Sequence, residues 1–245
     1  MSQTPVSVIV GGTSGIGAEV AKILAGQGNA VVVAGSRSPE EAAPLLKKLP
    51  GATYFQADMQ DPTSAARLVS HVVDTHGRLN DVVYSAGATV KIPHSDLDAV
   101  TDDVWGRILG MNVVMPWRLV QAATPALRAS GNGTVTFVGA LAGVDVGGSS
   151  IPYAVSKAAL HHMVKLLGGV LGPEIRINAV APGLIETPWT NGDAWENLYD
   201  HVRKVAPLKR VGRPEDVAGL IVSLMKAGYT TGQTVVTDGG LSLVP

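Results

Sequence analysis

Seven short runs rich in β-branched residues recur along the whole chain: Val6–Val10, Ala30–Ala34, Thr53–Phe55, Asp81–Tyr84, Thr134–Val138, Arg176–Val180 and Thr234–Thr237. Between them, Ile16–Gln27, Thr63–Thr75, Val104–Leu127, Tyr153–Leu171 and Glu215–Met225 carry apolar residues at helical spacing. Strand, helix, strand in this rhythm predicts a parallel sheet. The runs are almost continuously apolar, so each strand needs cover on both faces, as in a doubly wound α/β sheet with ligands at the carboxyl ends of its strands. No repeat or linker-like composition shift divides the chain, and one domain over residues 1–245 is expected. The only long non-periodic stretch, Pro182 to about Pro207, has the length of a functional loop.

Composition removes several function classes. Charged residues are 16% of the chain and the net charge is -1, which offers no polyanion-binding surface, so no nucleic-acid partner is expected. There are no cysteines, hence no disulfide, thiolate metal site or cysteine nucleophile. His94, His161, His162 and His201 have no carboxylates at ligand spacing, and no metal site is expected. No apolar run approaches the ~18 residues of a membrane span. The opening Met-Ser-Gln-Thr-Pro enters a strand directly, without the form of a signal peptide. These features predict a soluble, unprocessed, cytoplasmic protein with a small-molecule ligand and no membrane partner.

The first strand empties into Gly11-Gly12-Thr13-Ser14-Gly15-Ile16-Gly17 and then a helix. Gly11 would allow the sharp turn, Gly15 a close approach to a pyrophosphate, and Gly17 tight packing of helix on sheet, while the helix N–H groups attract phosphate. No Lys-Ser/Thr pair closes the turn, which argues against a nucleotide triphosphatase. About 20 residues on, where an acidic residue would bind a ribose diol, the chain reads Ser36-Arg37 instead. A guanidinium there suits a 2′-phosphate, which favours NADP(H) over NAD(H); the alternative is a solvated surface arginine. Asp58 would either accept from an adenine amino group or cap the helix near Thr63.

Tyr153 and Lys157 are four residues apart at the start of a helix, which puts phenol and ammonium on one face. A nearby cation favours phenolate, so Lys157 is expected to lower the Tyr153 pKa from ~10 towards neutrality.

With the glycine turn, this pair resembles the short-chain dehydrogenase/reductase family, of the type containing bacterial 3-oxoacyl-carrier-protein reductases. The resemblance spans essentially the whole chain. It includes Tyr84-Ser-Ala-Gly87, Asn112 in Met-Asn-Val, Asn178-Ala-Val-Ala-Pro-Gly183 with Thr187, Pro207-Leu-Lys-Arg-Val-Gly-Arg-Pro-Glu-Asp216, and Thr231-Gly-Gln-Thr-Val-Val-Thr-Asp-Gly-Gly240. It implies a Rossmann-type seven-stranded sheet of order 3-2-1-4-5-6-7 and hydride transfer between nicotinamide C4 and a carbonyl or alcohol carbon. Tyr153 would be general acid in reduction and general base in oxidation, Lys157 would bind the nicotinamide ribose, and Asn112 would hold a water relaying protons to Lys157. The cofactor would lie along Gly11, Thr13, Ser14, Gly15, Ile16 and Gly17, then Ser36 and Arg37, Asp58 and Met59, and Ala86 and Gly87. Pro182, Gly183, Ile185 and Thr187 would line its nicotinamide end. Relatives pair the helices around 104–127 and 153–171 between subunits, which implies a homotetramer.

The departures carry equal information. The family has a serine 13 residues before the tyrosine, where its hydroxyl polarises the substrate oxygen; this chain has Ala140. Loss of one preorganised donor costs on the order of 100- to 1000-fold in rate. Ser149 and Ser150, on the approach to Tyr153, are candidate substitutes. Three explanations compete: a substrate needing less polarisation, such as an imine or activated ketone; a binding or non-redox role; or an engineered substitution. Val10, Tyr84 and Ser85 are milder departures. Trp189, Trp195 and Tyr199 cluster in a chain with only four tryptophans and five tyrosines. In a substrate lid over about 187–207 they would meet an apolar or cyclic substrate, or else anchor the lid to the body. Ala140, Ser150, Trp189 and Trp195 are the expected substrate contacts, and Asp193 and Glu196 argue against a phosphate-rich acyl-carrier arm.

Overall fold

The structure is a computed structural model that describes residues 4–192 and 195–244. Strands β1 (Val6–Val10), β2 (Ala30–Gly35), β3 (Thr53–Gln56), β4 (Asp81–Tyr84), β5 (Gly133–Val138), β6 (Ile175–Pro182) and β7 (Thr234–Thr237) form one sheet in the order β3-β2-β1-β4-β5-β6-β7. Every pairing is parallel, so the predicted Rossmann-type topology holds.

Alternation along the strands builds two cores. Val6, Val8 and Val10 of β1 join one cluster, under α3 (Ser64–His76), α5 (Met115–Ala129) and α6 (Ile151–Val170). Ile9, between them, joins the other, under α1 (Gly15–Gly26) and α8 (Pro214–Lys226). This two-residue period is what lets one strand serve two helical layers. On α5 and α6, Trp117, Leu166 and Val170 remain exposed.

Two helices lie where none was predicted. α2 (Pro39–Leu46) starts from a capping box in which Ser38 accepts from Glu41 N and the Glu41 carboxylate accepts from Ser38 N. α7 (Glu196–Val205) falls inside the stretch read as non-periodic, yet Leu198, Val202 and Val205 are spaced for one face. The stretch Val104–Leu127 is not one helix. α4 (Asp102–Leu109) passes through a π-helical turn, Gly110–Val114, before α5 begins. Pro116 has no N–H for the carbonyl four residues back, that of Asn112, and the wider turn accommodates the gap.

Candidate active site

Backbone sterics fix the glycine turn. Gly11 has φ +76° and donates to the Ala34 carbonyl at 2.8 Å; a Cβ there would meet Ala86 N at 2.6 Å. A Cβ on Gly17 would lie 2.4 Å from the Gly11 carbonyl oxygen. Gly15, at φ +55°, faces the Thr187 side chain, so the segment after β6 closes over the turn. Ser14 makes no side-chain cap to α1, whose first turn holds no acidic residue. The N–H groups at that end are therefore open to an anion, with the helix dipole behind them.

The β2 end of the turn is cationic. Arg37 is exposed, and its Nη1 donates to the Thr13 carbonyl at 3.2 Å, which keeps the guanidinium beside the glycine turn next to exposed Ser36. Asp58 does not cap α3. Its Oδ1 accepts from Gln60 N at 2.9 Å, and Asp61 accepts from Thr63 N at 2.8 Å instead, because it is two residues before Thr63 and within reach of that turn. The Met59 side chain is buried in the core, leaving only its backbone to face a ligand.

A cleft of about 590 Å³ runs from this turn to α6. It gathers Gly11, Ser14, Gly15, Ile16, Ala86, Gly87, Ala140, Tyr153 and Lys157, then Pro182, Gly183, Ile185 and Thr187, and finally Trp189 and Trp195. Thr13, Gly17, Asn112, Ser150, Ser36, Arg37 and Asp58 do not line it. Ser150 caps α6, its Oγ accepting from Tyr153 N at 3.4 Å, and it is fully buried and absent from the cleft lining, so the expected substrate contact is not seen.

Lys157 is buried and its Nζ donates to the Val138 carbonyl at 2.9 Å. The same Nζ stands 5.7 Å from the centre of the Tyr153 ring. The expected depression of the phenol is not found. Burial pushes Tyr153 up to about 12, although one edge of it opens to the cleft, and pushes Lys157 down to about 8. Loss of water around the phenolate outweighs a cation held off by its own carbonyl partner.

Asn112 is buried in the π-helical turn. Its Nδ2 donates to the Ala88 carbonyl and to Ser156 Oγ, both at 2.9 Å, and its Oδ1 accepts from Ala88 N at 2.8 Å. The amide thus staples the α4–α5 junction to the loop after β4 and to α6. Tyr84 reinforces the junction by donating to the Met111 carbonyl at 2.9 Å.

The aromatic cluster divides. Tyr199 is an anchor: it is buried and its OH bonds Thr190 Oγ1 at 2.9 Å. Trp195 packs partly on the same small cluster and partly on the cleft, under Lys91 Nζ at 4.9 Å from its ring centre. Trp189 comes 3.3 Å from where a Gly87 Cβ would stand; from that point Asn112 Oδ1 is 3.2 Å and Lys157 Nζ 3.8 Å away. Glu196 lines a separate hollow with Glu186, Asp200 and Arg203, so its carboxylate says nothing against an acyl-carrier substrate. Asp193 lies outside the described residues.

Residues 10–242 match the family model described as enoyl-(acyl carrier protein) reductase. A Streptomyces violaceoruber protein named for a ketoacyl reductase of the granaticin polyketide synthase is 48% identical over 243 residues, 99% of this chain and 98% of its own. The 3-oxoacyl-(acyl-carrier-protein) reductase of Thermotoga maritima is 34% identical over 247 residues, 96% of this chain and 97% of its own. A crystal structure from Burkholderia xenovorans, described as a short-chain dehydrogenase/reductase, superposes with a TM-score of 0.91 at 32% identity, over 99% of this chain and 100% of that one. The chain belongs to the short-chain dehydrogenase/reductase family.

As a short-chain dehydrogenase/reductase it is an oxidoreductase of ketoacyl-reductase type, whose fold implies a nicotinamide cofactor. The residues present fit that group. The glycine turn has no room for side chains where a pyrophosphate must approach, the α1 N-terminus is uncapped, and a buried ammonium stands at the far end of the same cleft. Among the described residues there is no metal-holding cluster of His, Cys, Asp or Glu, and no helix long and apolar enough to cross a membrane.

Two features of this short-chain dehydrogenase/reductase escaped the sequence reading. His161 continues the Tyr153, Lys157 stripe by one more turn and is buried behind the cleft wall. A Cβ on Gly139 would stand 2.0 Å from its Nε2, and one on Gly143 2.8 Å from its Cε1. Neither ring nitrogen has a hydrogen-bond partner among the described residues. Burial, with the Lys157 ammonium adding to it, pushes its pKa down to about 4, weakly opposed by the Gly143 backbone. The four-residue spacing was visible; the hollow made by the two glycines was not. The second feature is Thr89, whose hydroxyl meets that of Ser149, already a candidate in the sequence, from a position 60 residues away; both line the cleft.

Proposed function

We propose that the protein is an NADPH-dependent carbonyl reductase acting on an apolar or ring-bearing ketone, and that it works as one domain with a substrate lid over about 187–207. The observation that carries this reading is the single cleft that joins the glycine turn to Tyr153 and Lys157. The bound nicotinamide would supply the hydride. Tyr153, protonated at neutral pH because burial pushes it up to about 12, suits the general acid of a reduction better than the base of an oxidation. Lys157 would hold the phenol and the cofactor ribose in register, its Nζ already steadied by Val138. Asn112 would keep that floor in place and hold a relay water. Trp189 and Trp195 offer ring surface to the substrate, and the polyketide context in the name of the 48% identical relative agrees with a cyclic or chain ketone.

Arg37 supports NADPH over NADH, since its guanidinium borders the turn and Ser36-Arg37 stand where an acidic residue would bind a ribose diol. The exposed apolar side chains on α5 and α6 support pairing of these helices in a homotetramer, and the absence of cysteine agrees with a cytoplasmic location.

The test is NADPH oxidation with a panel of ketones, hydroxyketones and cyclic imines, with Tyr153→Phe and Arg37→Ala alongside. Tyr153→Phe is expected to abolish turnover. Arg37→Ala should weaken NADPH binding by about 10- to 100-fold, the worth of one charge-assisted contact, and leave NADH binding unchanged. Cofactor binding without turnover on any compound would favour the second reading, a non-redox role, for which Ala140 is the specific motive. Tighter binding of NADH would refute the NADP assignment.

A further inference from the structure

A carbonyl oxygen seated against the Tyr153 phenol needs a second donor, because negative charge grows on it as hydride reaches the carbon. Ala140 lines the cleft at the place where the family carries that donor, and a methyl group cannot supply it. Other cleft hydroxyls are committed elsewhere. Ser14, Ser85 and Thr187 belong to the glycine turn, the end of β4 packed against it and the segment closing it, and Thr190 Oγ1 bonds the Ile185 carbonyl at 2.7 Å and Tyr199 OH at 2.9 Å. On the Tyr153 side, Thr89 and Ser149 remain, hydrogen-bonded hydroxyl to hydroxyl, and both line the cleft.

The position of Ser149 is fixed by its surroundings. Its carbonyl accepts from Ile92 N at 2.8 Å, which ties it to the loop carrying Thr89. The next residue, Ser150, is the α6 cap, so Ser149 keeps a constant offset from Tyr153. A Cβ on the preceding Gly148 would lie 3.6 Å from Tyr153 Cδ1, so this turn runs along the phenol ring.

The geometry points to Ser149 as a further catalytic residue, whose hydroxyl donates to the substrate oxygen in place of a hydroxyl at position 140. Thr89 donates to Ser149 in turn, which polarises the Ser149 hydroxyl and aims its proton into the cleft. This rests on the reductase reading. In the step served, a bound reduced nicotinamide would supply the hydride for the new C–H bond, and the π pair of the carbonyl would move to oxygen. The Tyr153 proton forms the new O–H bond. Ser149 keeps its own proton and contributes only a hydrogen bond.

The experiment uses the full chain with NADPH and two probes, trans-1-decalone and an acetoacetyl thioester. Ser149→Ala is expected to lower kcat by about 100- to 1000-fold, the effect of losing one preorganised donor. NADPH affinity, followed by fluorescence titration, should stay unchanged, which a merely structural role for Ser149 would not predict. Thr89→Val should lower kcat in the same direction by a smaller factor. Adding Ala140→Ser to the Ser149→Ala protein should restore most of the lost rate. A Ser149→Ala rate close to that of the unaltered protein overturns the proposal, as does an Ala140→Ser gain that is the same with or without Ser149. If Tyr153→Phe abolishes turnover while Ser149→Ala does not, the proposal alone fails. If the unaltered protein turns over neither probe nor any other carbonyl, both fail.

Discussion

His161 provides a titration that the fold cannot accept. The imidazole is 5% exposed, enclosed by the backbones of Gly139 and Gly143, and without a partner for either nitrogen among the described residues. An unfolded chain protonates it near 6.5, whereas the fold protonates it only near 4. Between those values the unfolded state binds more protons, so the stability that neutral His161 confers is present above 6.5 and is lost as pH falls towards 4. Integrated from pH 7 to pH 5, the linkage amounts to about 2 kcal/mol. The perturbation is His161→Leu, which fills the hollow with a side chain of similar bulk that cannot titrate. Urea midpoints followed by circular dichroism at fixed protein concentration, at pH 7 and pH 5, give the two stabilities. The unaltered protein should lose about 2 kcal/mol more than the variant over that interval. Asp81, which burial pushes upwards, has the opposite sign, but it is common to both proteins and cancels in the comparison. Equal losses in the two proteins would refute the reasoning, since they would mean that the ring charges without disturbing its enclosure.

Burial brings Lys157 down to about 8, so its ammonium is lost above that pH and turnover should fall there. In stability the sign reverses: the unfolded chain holds the proton longer, so the fold should gain stability above pH 8, a gain that thermal unfolding should not find in Lys157→Met. Gly17→Ala drives a methyl into the Gly11 carbonyl and should cost about 1–3 kcal/mol together with cofactor binding. Gly26→Ala, in the same helix and facing open space, should instead raise the melting temperature, by the equivalent of up to ~1 kcal/mol. Trp189 stands against the floor formed by Gly87 and Lys157, so NADPH should change tryptophan emission strongly in the unaltered protein and weakly in Trp189→Ala. An equal change in both would show that the cofactor leaves that ring where it is.

Periodicity revealed each element's own two faces, which is why all seven strands and the clustering of glycines against the sheet were legible. An almost continuously apolar run such as Val6–Val10 states its burial on both faces without reference to any other segment. The site is different, because its chemistry comes from meetings between segments. The Lys157 ammonium meets a carbonyl 19 residues away, and Thr89 meets Ser149 60 residues away. Neither meeting leaves a trace in local spacing. Ser150 looked as eligible as Ser149 because both precede Tyr153; which one faces the cleft was decided by the cap that α6 required. The phenol's direction of shift was misjudged for the same reason, since a four-residue spacing records the neighbouring cation but not the burial that other segments impose on the ring. α2 and α7 were readable in principle, from the Ser38/Glu41 box and the spacing of Leu198 and Val202, but their short length gave a weak pattern.

The Asn112 staple makes the cleft a logical conjunction. Its amide is satisfied only when the π-helical turn, the Ala88 backbone and Ser156 of α6 are all in place, and release of any one strands a buried donor or acceptor of the other two. A state in which the cofactor floor persists while one of these segments frays is therefore disfavoured by about 1–3 kcal/mol. Along any unfolding path, catalytic competence should vanish at the first step that separates these three segments.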